Sequence, residues 1–226
     1  MCGRITQKSN VKKLGLGLAS VNHVAPGEAP PRYNGSPGQE HWVIREHPET
    51  HGYSLDRLWW GLIPRWVKDA NGGRRPINAK AETITSLPSF RDGYKNRRCL
   101  VPIDNFFEWK AIKGASKQPY AISMKSGAPF ALAGIWENWK RPGTEEWVRT
   151  FAIITTEAND LMRPIHDRMP IIIGAADYAR WLSPDEPDPR DLLRPYPSEP
   201  MTMWPISSRV NKPVNDDPEI LDPVGI

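Results

Sequence analysis

The chain of 226 residues contains only two cysteines, Cys2 and Cys99. Two are too few for a disulfide framework or a cysteine-rich zinc site. No stretch approaches the roughly 18 consecutive apolar residues of a membrane span. The opening MCGRITQKSNVKKLGLGLAS holds no continuous apolar block of the kind a secretory signal needs. A large charge imbalance is missing too, since 30 basic residues face 26 acidic ones for a formal +4. A net charge this small permits a nucleic-acid partner without demanding one, because dedicated electrostatic binders are more lopsided. These shortages point to a cytoplasmic protein with reduced thiols. No membrane segment, metal or cofactor is expected, and a monomer is the default.

Tryptophan and proline are abundant instead, at 10 and 24 residues. Proline favours turns and extended segments over long helices. Tryptophan suits a β-rich core, or a surface on which flat rings stack. Strand signals cluster over residues 99–109, 120–124, 130–136, 147–155, 171–173 and 201–210. HWVIR (41–45) and LWWGLI (58–63) read as earlier strands, the second stopped by Pro64, while 25–39 reads as turn and loop. Helices are expected over 11–18, from Thr156 towards Pro164, and over 175–182, where Ser183-Pro184 ends the last. Residues 78–84 have helix-compatible composition, and 184–200 read as a proline-rich surface excursion. The expected fold is α+β: one domain over 1–226, its core over about 2–211, with a mostly antiparallel sheet closing on itself and flanking helices.

Cys2 poses a chemical question. Cells remove an initiator methionine when the next side chain is small, so the mature chain is expected to begin at Cys2. That creates a 1,2-aminothiol. An α-amine titrates near about 8 and is a good nucleophile at neutral pH. It attacks an aldehyde to give an imine, as lysine does in Schiff-base catalysis, and the adjacent thiol can then close a five-membered thiazolidine. Alternatively the thiolate alone attacks an acyl carbon. The plain competing reading is a residue in a frayed terminus. Gly3 leaves room beside the thiol, and Arg4 brings a permanent cation that favours thiolate or holds a phosphate.

A catalytic cysteine needs a base, an orienting group and a charge stabiliser. His23, His41, His47 and His51 lie in loop-like or edge-like contexts. Pro48 in HPETH argues against a helix that would align His47 and His51 for a metal. His166 sits in RPIHDRMPIII, in a short polar turn between an expected helix and an apolar strand, the usual setting of functional residues. Its bland alternative is a histidine capping a helix end. Glu108 lies in DNFFEWK, where alternation puts Phe106 and Glu108 on one face and Phe107 and Trp109 on the other. A carboxylate there is either paired or raised in pKa, and both suit proton transfer; on an edge strand it would face water. Asn78 in PINAKAE reads locally as a helix N-cap.

MCGR, RYNGSPG, WWGLIPRW, INAKAET, RRCLVPIDNFFEW, LAGIWE, IITTEAN, IHDRMP and ISSRVN together resemble, in order, the motifs of the SRAP family. These are the SOS-response-associated peptidases, described as abasic-site processing proteins. The resemblance runs from Cys2 to about Asn211. It implies the SRAP fold and proteins that bind single-stranded DNA and react covalently with abasic sites. The terminal cysteine forms a reversible thiazolidine with the ring-opened deoxyribose aldehyde, shielding the lesion from cleavage, and the protein removes its own leading methionine. By the same resemblance Cys2 is the crosslinking residue and Asn78 orients it. Glu108 moves protons and helps reversal, and His166 assists Schiff-base formation and sugar-ring opening. Arg4, Asn34, Thr155 and Arg168 match positions near the phosphate backbone. Pro37 and Trp109 match positions where bases turn or unstack, and Trp60 matches a base contact. Lys80 stands where the family commonly has arginine, which keeps the charge of a phosphate contact but loses the bidentate fork. Asn105 stands where the family often has glycine.

Three rivals come from other classes. Amidotransferases with an N-terminal nucleophile also begin Met-Cys-Gly, but their downstream loops and second domain are not found. A papain-like peptidase would need its cysteine at a helix N-terminus, which MCGRIT does not offer. A non-catalytic tryptophan-rich single-strand binder would keep all activity without Cys2.

Overall fold

The computed structural model describes residues 2–18, 22–23, 30–47, 50–68 and 75–225. Its strands are β1 (Ile5–Gln7), β2 (Asn22–His23), β3 (Arg32–Gly35), β4 (Glu40–Glu46), β5 (Tyr53–Trp60), β6 (Asn78–Lys80), β7 (Arg98–Ile103), β8 (Asn105–Lys110), β9 (Gln118–Met124), β10 (Phe130–Lys140), β11 (Trp147–Glu157), β12 (Arg168–Pro170), β13 (Ile172–Ile173) and β14 (Met201–Pro205). The helices α1 (Val11–Leu14), α2 (Arg91–Asn96) and α3 (Tyr178–Leu182) are short. Strands β11, β10, β7, β4 and β5 follow one another in hydrogen-bonded order. β5 then pairs in parallel with β11, Thr150 beside Trp59 and Phe151 beside Trp60, so the sheet closes into a five-stranded mixed barrel. A second, wholly antiparallel sheet runs β14-β9-β8-β1-β3. The expected sheet closing on itself is therefore present.

Period-two alternation fills both faces of the barrel wall. In β10, Ala131 and Ala133 join an apolar cluster with Ile44, Leu55, Leu100, Tyr94 and Trp181, which brings in α2 and α3. Leu132 joins the other cluster with Val43, Leu58, Val101 and Phe151. That second cluster also takes Ile5, Phe106, Ile122 and Met201 from the second sheet, together with Cys2. Gln7 splices the two sheets. Its amide nitrogen donates to the carbonyls of Trp42 and Pro102 at 2.9 and 2.7 Å, and its oxygen accepts from the Trp42 amide at 2.9 Å.

Several expected elements change. The single strand expected over 99–109 is two strands in different sheets, divided at Asp104. The Asp104 carboxylate accepts from the backbone N–H groups of Lys8 and Ser9 and from the Ser9 hydroxyl, which fixes the corner. Part of the expected 25–39 loop is β3, while 25–29 lie outside the described residues. Residues 78–84 begin as a strand and only then turn through a single 3-10 turn, Ala81–Thr83. The helix expected from Thr156 does not form: β11 runs on through Glu157, and a turn capped by the Asn159 side chain, which accepts from the Met162 N–H at 3.0 Å, takes its place. Strand β5 ends at Trp60, where Gly61 adopts φ +133°, a conformation open to glycine. Packing continues past residue 211, with Ile220 fully buried.

Candidate active site

The chain's first strand is an inner strand of its sheet. β1 lies between β8 and β3, with Ile5 opposite Phe106 and Thr6 opposite Asn105. The Phe107 N–H donates to the Arg4 carbonyl at 3.0 Å and carries the pairing one step further towards Cys2. Cys2 is therefore not frayed; it is fully buried. The alternation expected of β8 holds: Phe106 joins the cluster of Cys2, while Phe107 and Trp109 pack with Ile206, Val210 and Ile220. Glu108 is turned in with Phe106 and is 2% exposed.

Burial and geometry set the electrostatics. Burial raises the Cys2 thiol well above its ordinary range, and the Glu108 carboxylate raises it further, while the Arg4 backbone N–H pulls the other way. The resting sulfur is a thiol. Burial also raises Glu108 above the usual carboxylate range, and His166 pulls it back. Glu108 is thus close enough to interact electrostatically with both Cys2 and His166. His166 is held by the Arg168 backbone N–H, which donates to Nδ1 at 2.9 Å. The Asp167 carboxylate also lies 2.8 Å from Nδ1, on a side chain that is 87% exposed to water. The backbone donor is fixed, so Nδ1 accepts and Nε2 carries the proton of the neutral ring. Asn78 opens β6 beside Ile153 of β11, and both Ile153 and its own neighbour Ile77 pack in the cluster of Cys2. Both polar atoms of the Asn78 amide are buried and have no hydrogen-bond partner among the described residues. It is not a helix N-cap, since a strand follows it.

The other expected site residues divide. Lys80 is exposed, and Pro37 is half-buried in the turn after β3. Trp109 donates its indole N–H to the Asn211 side chain at 2.7 Å. Arg4 and Asn34 are spent on the carboxyl-terminal segment. Arg4 Nη1 donates to Asn34 Oδ1 and the Val210 carbonyl, both at 2.7 Å. The fully buried Asn34 amide donates to the carbonyls of Val210, Lys212 and Asn215. Thr155 is fully buried, and its carbonyl and hydroxyl oxygens accept from Arg168. Trp60, expected at a base contact, lies inside the fold. It is 1% exposed, its indole donates to the Ile77 carbonyl at 2.9 Å, and its ring stacks on Phe151. Its neighbour Trp59 is the exposed member of the pair, at 43%. His41, read as edge-like, is buried edge-on to Trp60 and Phe151. Glu82, which grips Arg168, carries no local signal, because its partner lies 86 positions away.

A family model described as SOS response associated peptidase (SRAP) matches residues 1–213. The abasic site processing protein YoqW of Bacillus subtilis is 39% identical, over 98% of this chain and 99% of its own. The abasic site processing protein HMCES of Gallus gallus is 30% identical, over 99% of this chain and 78% of its own. A crystal structure of a protein from Bacteroides thetaiotaomicron superposes with a TM-score of 0.88 at 29% identity, covering 99% of this chain and all of that one. A family match along most of the sequence, and a neighbour that shares the whole fold, make this chain a member of the SRAP family.

Proposed function

We propose that the protein processes abasic sites in single-stranded DNA by covalent capture, forming a thiazolidine between Cys2 and the ring-opened sugar once Met1 has been removed. The observation that carries this reading is the buried pairing of Cys2 with a Glu108 whose carboxyl is held above its ordinary range. The names of the relatives support the substrate class.

The steps balance without a cofactor. As the closed hemiacetal opens to the C1′ aldehyde, its hydroxyl proton passes to a water that returns one to the ring oxygen, while the His166 Nε2–H donates a hydrogen bond to that oxygen and steadies it. The Cys2 α-amine adds to C1′ and gives a carbinolamine. Glu108, whose neutral form burial favours, donates its proton to the departing hydroxyl, and water leaves the iminium. Glu108 is now the carboxylate, and it takes the proton of the Cys2 thiol as sulfur bonds to C1′. The net change is aldehyde plus aminothiol giving thiazolidine plus water, with Glu108 returned to its starting form. Run backwards, the same proton shuttle releases the DNA. The Asn78 amide, with both ends unpartnered among the described residues, is suited to holding the amine and the carbinolamine oxygen. Hydrolysis of the Met1–Cys2 amide, using the same thiol and carboxyl, is the self-processing step. The exposed Lys80 and half-buried Pro37 are the residues that this reading assigns to the DNA interface.

The test mixes the purified protein with a single-stranded oligonucleotide carrying one abasic site and resolves the products on a denaturing gel. A shifted band that needs Cys2, together with an intact mass lacking Met1, is expected. No such band from protein of that mass sinks the reading.

A further inference from the structure

We infer that Glu82 is a positioning residue that holds the strand carrying Asn78 and the turn carrying His166 in fixed relation through Arg168. The geometry is a staple across β11. On one side of β11 runs β6, with Asn78 beside Ile153 and Lys80 beside Thr155. On the other side runs β12, with Pro170 beside Thr155 and Arg168 beside Glu157. Arg168 opens β12, and its side chain crosses back over Thr155. Nη2 donates to the Thr155 carbonyl at 2.7 Å and meets its hydroxyl at 3.3 Å. The guanidinium then closes a two-pronged pair with Glu82, just past the end of β6: Nη1 on Oε1 and Nη2 on Oε2, the latter at 3.0 Å.

Such a fork fixes orientation as well as distance. The Arg168 side chain is 15% exposed and the Glu82 side chain 53%, so the pair is anchored on its arginine side and meets water on its glutamate side. The hydrogen bond from Arg168 also draws Glu82 below the usual carboxylate range, which keeps it charged. What makes the staple functional is the other end of Arg168. Its backbone N–H is the donor that holds His166 Nδ1 and leaves the ring proton on Nε2. Loosening the side chain from Glu82 frees the residue whose main chain sets the tautomer, and it unties β6 with its Asn78 from β12. Glu82 touches neither the thiol nor the aldehyde; it acts through Arg168.

The kinetic side of this inference rests on the capture reaction proposed above, and the spectroscopic side does not. In ¹⁵N-labelled protein, long-range imidazole spectra report the His166 tautomer directly. The wild type is expected to show an unprotonated Nδ1 and a protonated Nε2, and Glu82→Ala a mixture of both tautomers. Unchanged His166 signals in Glu82→Ala overturn the inference, whatever the protein does to DNA. In single-turnover capture, Glu82→Ala is expected to be slower by about tenfold or more, the scale of a small misplacement of a catalytic group. Its affinity for the same strand without the lesion is expected not to fall. Glu82→Gln, which keeps one acceptor for Arg168, should fall between. Faster capture by Glu82→Ala also overturns the inference, because Glu82 would then be a cover over Arg168. A melting curve for each variant checks folding, and Glu82→Gln decides the matter where Glu82→Ala is unfolded. A wild type that never crosslinks refutes the capture reaction and leaves the tautomer measurement to judge the staple.

Discussion

Cys2 and Cys99 are both fully buried, and burial raises both thiols far above their ordinary range. Their surroundings separate them. Cys99 sits in β7 opposite Arg45 of β4 and Gly134 of β10, in the barrel wall. Arg45 is the cation that lowers its pKa slightly, yet that guanidinium is committed to Asp56 at 2.6 Å and lies over the Trp136 ring. Cys2 has Glu108, and through Glu108 it has His166. A buried sulfur near a charge is thus an ordinary structural feature. A buried sulfur beside a carboxyl that can take up and return a proton is chemistry. The composition could not make this distinction, because the two neighbourhoods are built from residues distant in sequence.

Exchanging the two cysteines' roles breaks the comparison most severely. Cys2→Ala is expected to abolish the stable crosslink, while Cys99→Ala leaves it intact. Cys2→Ser keeps the amine and should give an imine that borohydride traps and heat destroys, as the gel reads directly. A stable band from Cys2→Ala would place the reactive group elsewhere. Next comes Glu108→Gln, which is expected to slow capture by about 10²–10⁴-fold, the usual worth of a positioned proton donor. The sign with pH follows from burial, which holds the neutral form of Glu108 to higher pH than an ordinary carboxyl. The wild-type rate should therefore carry a limb, falling with rising pH, that lies above the usual carboxylate range, and Glu108→Gln should lack it. A Gln variant with the same limb would assign it to another group.

The contrast also marks how far the sequence could be read. Alternation in DNFFEWK placed Phe106 and Glu108 on one face and Phe107 and Trp109 on the other, and the two apolar clusters divide them that way. Local pattern carried that far because a strand has only two faces. It failed at Asp104, where the corner depends on Lys8 and Ser9, and it failed for Thr156, where β11 outlasts its propensity because β12 pairs with it. In WWGLIPRW the resemblance named Trp60 for a base contact, and nothing local says which tryptophan turns inward. The choice is made by Phe151 and the Ile77 carbonyl, which take Trp60. Asn34 and Arg4 were legible only as polar residues in a shared motif, since the carbonyls they bind lie in the carboxyl-terminal segment.

His41 sharpens the same lesson with a second kind of titratable group. Burial lowers its pKa to about 4 from an ordinary 6.5, and the hydrogen bond with the Ser36 carbonyl only partly opposes this. Below pH 6.5 the unfolded chain takes a proton that the folded chain refuses. Stability is therefore lost as pH falls from about 6.5 to about 4, by up to about 3 kcal/mol. Urea unfolding at pH 7 and pH 5 measures the slope, and His41→Gln, which can still donate to Ser36, should flatten it. An equal slope in that variant would assign the acid sensitivity to other groups.

The smallest effect probes the inert cysteine. A Cβ on Gly134 would lie 2.9 Å from the Cys99 sulfur and 3.2 Å from the Ala152 carbonyl oxygen. The sulfur contact is closer than packed atoms tolerate, so Gly134→Ala is expected to cost about 1–3 kcal/mol through overpacking. If Cys99 matters only for the space it fills, removing its sulfur must restore much of that loss. Cys99→Ala combined with Gly134→Ala should then be more stable than the sum of the two single changes, with the remaining deficit set by the Ala152 contact. Strict additivity would mean that the wall yields elsewhere and that the sulfur does not bound the site. The same cycle leaves capture of the lesion untouched if Cys2 alone carries the chemistry, because neither alanine reaches Glu108.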